Sequence, residues 1–402
     1  MLEKSHIQPA DMHGLSRLAV DATLGVTDIV EALHHTIAHA PGMLDIPAHA
    51  PMQGIPSLVY SSIRGITRLV GGGLDAILAQ IVLLLGERRS SPERDAMLAV
   101  LNGVMGDHLA ASDNPLTIPM RLRWEGQALD LDGPALAAAI AQPGGKILLL
   151  VHGLCLNDRQ WRRNGHDHGA ALATNLGYTN IYLHYNTGLH ISDNGRAFAD
   201  MIEALLQSWP VPVQELVIIG HSMGGLVTRS ACHYGALADH SWLRQLRKIV
   251  FLGTPHHGSP LERAGNWLNG MLGASPYTAA FARMGRVRSA GITDLRYGNL
   301  LNDDWAGRDS FAHSSDQRRP VQLPDGVQCF CIGASTGKTA GDLRDQLLGD
   351  GLVPLRSALG DHTSPSLALQ FREQWIGYDM NHLDLLDRRD VYEQLRQWLA
   401  TE

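Results

Sequence analysis

"VIIGHSMGGLV", residues 217–227, sets Ser222 between Gly220 and Gly224 directly after an apolar run. The run reaches back to Glu215 as "ELVIIG", a buried-strand pattern, and "SMGGLVTRSACHYGA" after it reads as a helix. G-x-S-x-G between a strand and a helix implies a sharp turn, with the serine backbone strained and its hydroxyl exposed. Glycines are required at 220 and 224 because side chains there would collide with neighbouring backbone. His221 completes the turn. The free N–H groups at the start of the following helix favour negative charge beside the serine.

Working outward, apolar strand runs alternate with helical stretches. The expected strands are "KILLLV" (146–151), "NIYLHY" (180–185), "ELVIIG" (215–220), "KIVFLG" (248–253), "VQCFCIG" (327–333) and "LALQFREQW" (367–375). Helices are expected near 168–176, 195–208, 223–237 and 389–400. Short apolar strands separated by helices predict an α/β fold: a mostly parallel sheet covered on both faces. "IPMRLRWEGQALDLD" before them predicts a hairpin turning at Gly126. The interval 258–326 is too long for a simple connection and reads as an inserted cap; 334–349 reads as a shorter insertion. Residues 1–112 read as a separate helical region, with Pro92 opening a helix after Ser91, and 113–402 as the α/β domain. The plain reading of 1–112 is a helical layer packed on the domain that follows; the sharper one is a cover for an active site or a membrane-surface patch.

A serine is a weak nucleophile without a base, an orienting acid and donors for the developing oxyanion. On strand–turn–helix sites of this kind the chain order is serine, acid, histidine. Asp350 lies in the glycine turn "GDGLVP" and His382 in "MNHLDLL", in that order. Asp342, Asp345 and Asp361 remain competitors for the acid, and His362 and the His256–His257 pair for the base. Met223, the residue after the serine, supplies one candidate oxyanion N–H. Leu154, in the loop "HGLCLNDRQW" after the first parallel strand, supplies the other, with Gly153 allowing close backbone approach. His152 is expected to orient that loop.

"HGLCLNDRQW", "GHSMGG", "GTPHHGS", "DGLVP" and "NHLDLL", in this order, resemble the bacterial lipases and esterases of the α/β-hydrolase superfamily. "GTPHHGSP" resembles the lipase-like and glycosylphosphatidylinositol-deacylase-like branches. The resemblance covers roughly residues 116–402 and not 1–112. It implies an α/β-hydrolase fold and a carboxylic ester hydrolase working through an acyl-enzyme. In that reading Ser222 is the nucleophile, His382 the general base, Asp350 the orienting acid, and Leu154 and Met223 the oxyanion donors. It implies no cofactor and a small-molecule or lipid ester as substrate. The same triad would also serve an acyltransferase or a polyester depolymerase. A hydrolase fold without catalysis, used for binding, is the reading from another class.

The remaining features exclude more than they assign. A formal net charge of −7 without a long basic run gives no sign of a nucleic-acid partner. Cys155, Cys232, Cys329 and Cys331 form no C-x-x-C pair, so reduced core cysteines are expected. The N-terminal stretch lacks a basic start followed by an apolar core, which sets a cytoplasmic expectation. "AILAQIVLLLG" (76–86) is shorter than the roughly 20 residues a spanning helix needs. Peripheral lipid contact through the N-terminal helices or the cap stays open. "GASTGKT" (333–339) has one residue too few between its glycines for a phosphate loop. His166-Asp167-His168 reads as a solvated turn, not a metal site.

Overall fold

The computed structural model describes residues 10–21, 92–140, 142–259, 289–307, 318–339 and 349–401. Two compact units divide the chain: Met1–Arg94 with Leu109–Leu116, and Asp95–His108 with Thr117–Glu402. In the first, residues 10–21 are helical. Arg94 grips the Asp11 carboxylate through Nε and Nη2 at 2.7–2.9 Å, and Asn114 donates to the Gly14 carbonyl at 3.1 Å. The stretch 76–86, residues 260–288 and 308–317 of the expected cap, and residues 340–348 of the shorter insertion lie outside the described residues. Among those described, no helix is long and apolar enough to cross a membrane.

The second unit is an α/β sandwich. Helix α1 (Pro92–Ala111), of which Asp95–His108 lie in this unit, starts at Pro92, whose missing N–H costs nothing at a first helical position. Strands β1 (Arg121–Trp124) and β2 (Gln127–Ala128) form the expected hairpin, with Gly126 at φ +75° in its turn. Then follow α2 (Gly133–Ala139), β3 (Lys146–Val151), α3 (His168–Leu176), β4 (Thr179–His184), α4 (Ile191–Ser208) and β5 (Glu215–His221). After them come α5 (Met223–Leu237), β6 (Leu246–Leu252), α6 (Ala290–Tyr297), β7 (Gln328–Ser335), β8 (Glu373–Tyr378) and α7 (Arg389–Ala400).

One eight-stranded sheet runs in the order β8-β7-β6-β5-β3-β4-β1-β2. β1 is antiparallel to β4 and β2, and the other neighbours are parallel. Burial on both faces explains the unbroken apolar runs. Along β3, Ile147, Leu149 and Val151 enter a core with Phe198 and Leu226, while Leu148 and Leu150 enter the opposite core with Leu172 and Leu395. On α7, Val391, Leu395, Trp398 and Leu399 recur at helical spacing and are all buried. This strand order, with a serine turn at the end of the central β5, is the α/β-hydrolase fold.

One strand departs from its expected place. The last strand is Glu373–Tyr378, and "LALQF" before it is not a strand. Leu369 is buried all the same: its N–H bonds the Gly360 carbonyl in a loop, and its side chain packs near Gly360. The ladder of β8 with β7 starts where Glu373 faces Phe330. The four cysteines are free and buried.

Candidate active site

Ser222 adopts φ +55°, ψ −125°, a conformation that L-residues rarely hold, between β5 and α5. Its N–H donates to the Leu252 carbonyl at 2.8 Å, and its carbonyl accepts from Gly225 at 3.0 Å. Both ends of the turn are therefore pinned. A Cβ on Gly220 would stand 2.7 Å from the Gly225 backbone, and one on Gly224 would stand 2.2 Å from the Val151 carbonyl oxygen. Gly225, which the motif does not include, is as constrained: its Cβ would meet Thr254 Oγ1 at 2.0 Å. Gly224→Ala is expected to destabilise the fold by about 3 kcal/mol, because backbone of β3 would have to move. Urea unfolding measures this; a loss below about 1 kcal/mol would show that the turn is slack.

His382 follows β8. Its Nδ1 lies 2.6 Å from Asp350 Oδ2, and both residues are buried. The other carboxylate oxygen, Oδ1, accepts from the N–H groups of Leu352 (2.9 Å) and Val353 (2.8 Å). His382 N–H also donates to the Asp350 carbonyl at 3.1 Å. A carboxylate can only accept, so Nδ1 carries the hydrogen and a neutral ring keeps Nε2 as an acceptor. Gly349 (φ +54°) and Gly351 (φ +92°) shape this turn. Asp350 lies far beyond β7 in sequence, yet Thr336 N–H bonds the Gly349 carbonyl at 2.9 Å and ties the turn to that strand's end.

Several contacts bring the base loop to the serine turn. Leu252, which holds Ser222 N–H, is followed by Gly253, where a Cβ would touch the His382 ring at 3.0 Å. The His221 ring lies 4.6 Å from that of His382, and its Nε2 is 3.1 Å from the His382 carbonyl oxygen. Burial holds His221 well below the ordinary histidine pKa, so it adds no charge beside the base. Ser222 and His382 are not hydrogen-bonded to each other among the described residues; such bonds often form only with substrate present. Of the competitors, Asp361 is exposed and His362 accepts from Ser364 N–H at 3.0 Å, while Asp342 and Asp345 lie outside the described residues. His257 points its Nε2 at the Gly360 carbonyl, 3.0 Å away.

The loop carrying Leu154 sits against the serine: a Cβ on Gly153 would lie 2.9 Å from Ser222 Cβ. The amides beyond Leu154 are engaged, Cys155 N–H with Thr187 Oγ1 at 3.1 Å and Leu156 N–H with the Gly153 carbonyl at 3.2 Å. Met223 N–H is among the first amides of α5, which have no partner within the helix. His152 stacks on Tyr185 at 4.5 Å, and the Tyr185 hydroxyl donates to the His152 carbonyl at 2.8 Å. Cys155 itself holds φ +59°, a second strained position next to the site.

Sequence reasoning missed what braces this loop. Thr187 and Tyr185 come from the segment after β4, and that segment rests on α1. A Cβ on Gly103 would meet Cys155 Sγ at 2.3 Å, one on Gly106 would meet Asn186 Oδ1 at 1.9 Å, and one on Gly188 would meet the Asn102 carbonyl at 2.1 Å. Asn186 donates to the Gly106 carbonyl at 2.9 Å. The middle of α1 therefore belongs to the wall behind the loop. The available signal was the glycine pair in "VLNGVMGDHL": each costs a helix about 1 kcal/mol relative to alanine, so close approach is the reason to keep them.

The His166-Asp167-His168 segment is also not a solvated turn. Asp167 caps α3 by accepting from Ala170 N–H at 3.0 Å, and His168 is fully buried, with Nε2 3.1 Å from the Leu385 carbonyl oxygen. Among the described residues no group of three or more His, Cys, Asp or Glu could hold a metal ion.

Two of these buried histidines set an acid limit. Burial lowers His152 and His168 from the ordinary 6.5 to about 3, helped at His168 by the neighbouring His166. Unfolding restores the ordinary value, so below pH 6.5 the unfolded chain binds protons that the fold refuses. Their contribution is complete above pH 6.5 and declines as the pH falls towards 3. Each group costs about 1.4 kcal/mol per pH unit, or about 5 kcal/mol for the two at pH 4.5. Tm is expected to drop steeply between pH 6.5 and 4.5, and less steeply in His168→Gln. Equal Tm values at pH 7 and 4.5 would contradict this.

The fold and the Ser222 turn define the class as an α/β-hydrolase fold. Within it, residues 116–291 match a family model described as "Domain of unknown function (DUF7379)". No curated protein matches the chain. Among solved structures, the chain is similar to mature lipase BlEst2 of Bacillus licheniformis, at 19% identity and a TM-score of 0.40, over 65% of this chain and 96% of that one. It is similar to Aspergillus fumigatus lipase B at 12% identity and a TM-score of 0.41, over 99% of this chain and 83% of that one. EstA from Clostridium botulinum follows at 13% identity and a TM-score of 0.36, over 64% and 88%. None of these likenesses adds to the fold that the strand order already defines.

Proposed function

We propose that the protein is a serine carboxylic ester hydrolase, of esterase or lipase type. The observation that carries this reading is the buried 2.6 Å contact between His382 Nδ1 and Asp350 Oδ2, in a loop that packs beside the strained Ser222 turn. Ser222 Oγ attacks the ester carbonyl as His382 Nε2 takes its proton. The charge that develops on the carbonyl oxygen is met by the N–H groups of Leu154 and Met223, aided by the start of α5. Asp350 holds the imidazole in the required tautomer and stabilises the imidazolium. The alcohol then leaves with the proton from His382, and water, deprotonated by the same nitrogen, cleaves the acyl-enzyme. No step calls for a cofactor.

The test is hydrolysis of nitrophenyl esters from short to long acyl chains, with and without a lipid–water interface. Turnover of at least part of the series is expected, and its chain-length profile separates esterase from lipase. No turnover anywhere in the series would contradict the proposal.

A further inference from the structure

We infer that Thr187 is a positioning residue for the proposed reaction: its hydroxyl locks the turn that carries Leu154 N–H in a strained form beside Ser222. The inference rests on the ester-hydrolase reading and on Leu154 as an oxyanion donor. Thr187 lies in the segment after β4, is buried, and accepts from Cys155 N–H through Oγ1 at 3.1 Å.

The turn is Gly153-Leu154-Cys155-Leu156. Leu156 N–H closes it on the Gly153 carbonyl at 3.2 Å. Cys155, third of the four, holds φ +59°, and Leu154 does not share that left-handed backbone. This is the type II arrangement, whose third position favours glycine or asparagine. A cysteine there strains the turn. The type I arrangement would relieve the strain by returning Cys155 to a φ of about −90°. To reach it, the peptide between Leu154 and Cys155 must rotate, changing Leu154 ψ by about 150° and swinging Cys155 N–H off its acceptor. Thr187 Oγ1 opposes that rotation, because a buried N–H left without an acceptor is costly.

Thr187 cannot follow the turn if the turn moves. A Cβ on Gly291 of α6 would stand 2.1 Å from the Thr187 carbonyl oxygen, and Gly291 N–H donates to the Gly188 carbonyl at 3.0 Å. On the other side, Gly188 N–H donates to Asn186 Oδ1 at 2.9 Å, and Asn186 is itself tied to the Gly106 carbonyl of α1. The hydroxyl therefore fastens the turn to α1 and α6 together. The turn has no slack towards the nucleophile either, since a Cβ on Gly153 would lie 2.9 Å from Ser222 Cβ. A rotated peptide would displace Leu154 from the oxyanion, and a misplacement of about 1 Å can cost about 10²-fold in rate. The donor acts on charge that exists only in the transition state, so the loss falls on kcat and not on KM.

The experiment compares Thr187→Val, β-branched like threonine but without the acceptor, with Thr187→Ser, which keeps it. Both are assayed in the full chain by steady-state hydrolysis of a short nitrophenyl ester, well below Tm. Thr187→Val is expected to lower kcat by about 10- to 100-fold at unchanged KM, short of the roughly 10²–10³-fold cost of losing an oxyanion donor outright. Thr187→Ser is expected to restore most of the wild-type kcat. A hydroxyl with a merely structural role would lower Tm and leave the kcat of the folded protein alone. Should Thr187→Val not fold, Thr187→Ala takes its place with the same expectation. An active wild type with kcat unchanged in the folded variant, or a serine variant as slow as the valine one, would overturn this inference and leave the hydrolase reading standing. A wild type that turns over no ester would overturn both.

Discussion

Ser222→Ala is expected to lower ester turnover by about 10⁴-fold or more, with little change in Tm. Alanine can occupy the same strained backbone as serine, and the pins on the turn are backbone atoms: Ser222 N–H to Leu252, and Gly225 N–H to the residue 222 carbonyl. Only the attacking oxygen is lost. Steady-state kinetics beside thermal unfolding separates the two effects. Retention of more than about a tenth of the activity would move the nucleophile elsewhere.

Asp350→Asn is the second large effect, expected near 10⁴-fold in kcat. The reason lies in what fixes the side chain. Leu352 and Val353 N–H both donate to Oδ1, so an asparagine must keep its carbonyl oxygen there. Its NH₂ group would then face His382 Nδ1, which is 2.6 Å from Oδ2 in the present chain. Nδ1 would have to accept, the ring hydrogen would move to Nε2, and the base would be blocked. KM should change little, since Asp350 is buried behind the histidine. A loss below about tenfold would show that this tautomer does not control the reaction.

Much of the fold was legible because the strands at the sheet centre are buried on both faces. "KILLLV" and "ELVIIG" had no polar interruption and fell within a residue of their observed ends. β8 was misplaced because it is an edge strand: Glu373 and Gln374 are exposed and only Gly377 is buried, so its apolar signal is weak. Polarity misled at His166-Asp167-His168 as well. The burial of His168 comes partly from the Leu385 segment, more than two hundred residues away, which no local pattern reveals.

The site divides along the same line. The candidate residues Ser222, Asp350 and His382 stand in local motifs, and the structure brings the latter two into contact. The bracing of the Leu154 loop was not legible, since it depends on α1 meeting the segment after β4 through the glycine contacts at 103, 106 and 188. Those contacts are long-range, and a helix glycine announces only that something lies close, not what it is.

Ser222 is proposed to be an activated nucleophile. A fluorophosphonate probe tests it most directly, because phosphonylation requires the activated hydroxyl and not a suitable ester. Mass spectrometry of the labelled protein should show one phosphonyl group on Ser222, with none on Ser222→Ala and greatly slowed labelling of His382→Ala. An unlabelled wild-type chain, or a label on another residue, would contradict the account.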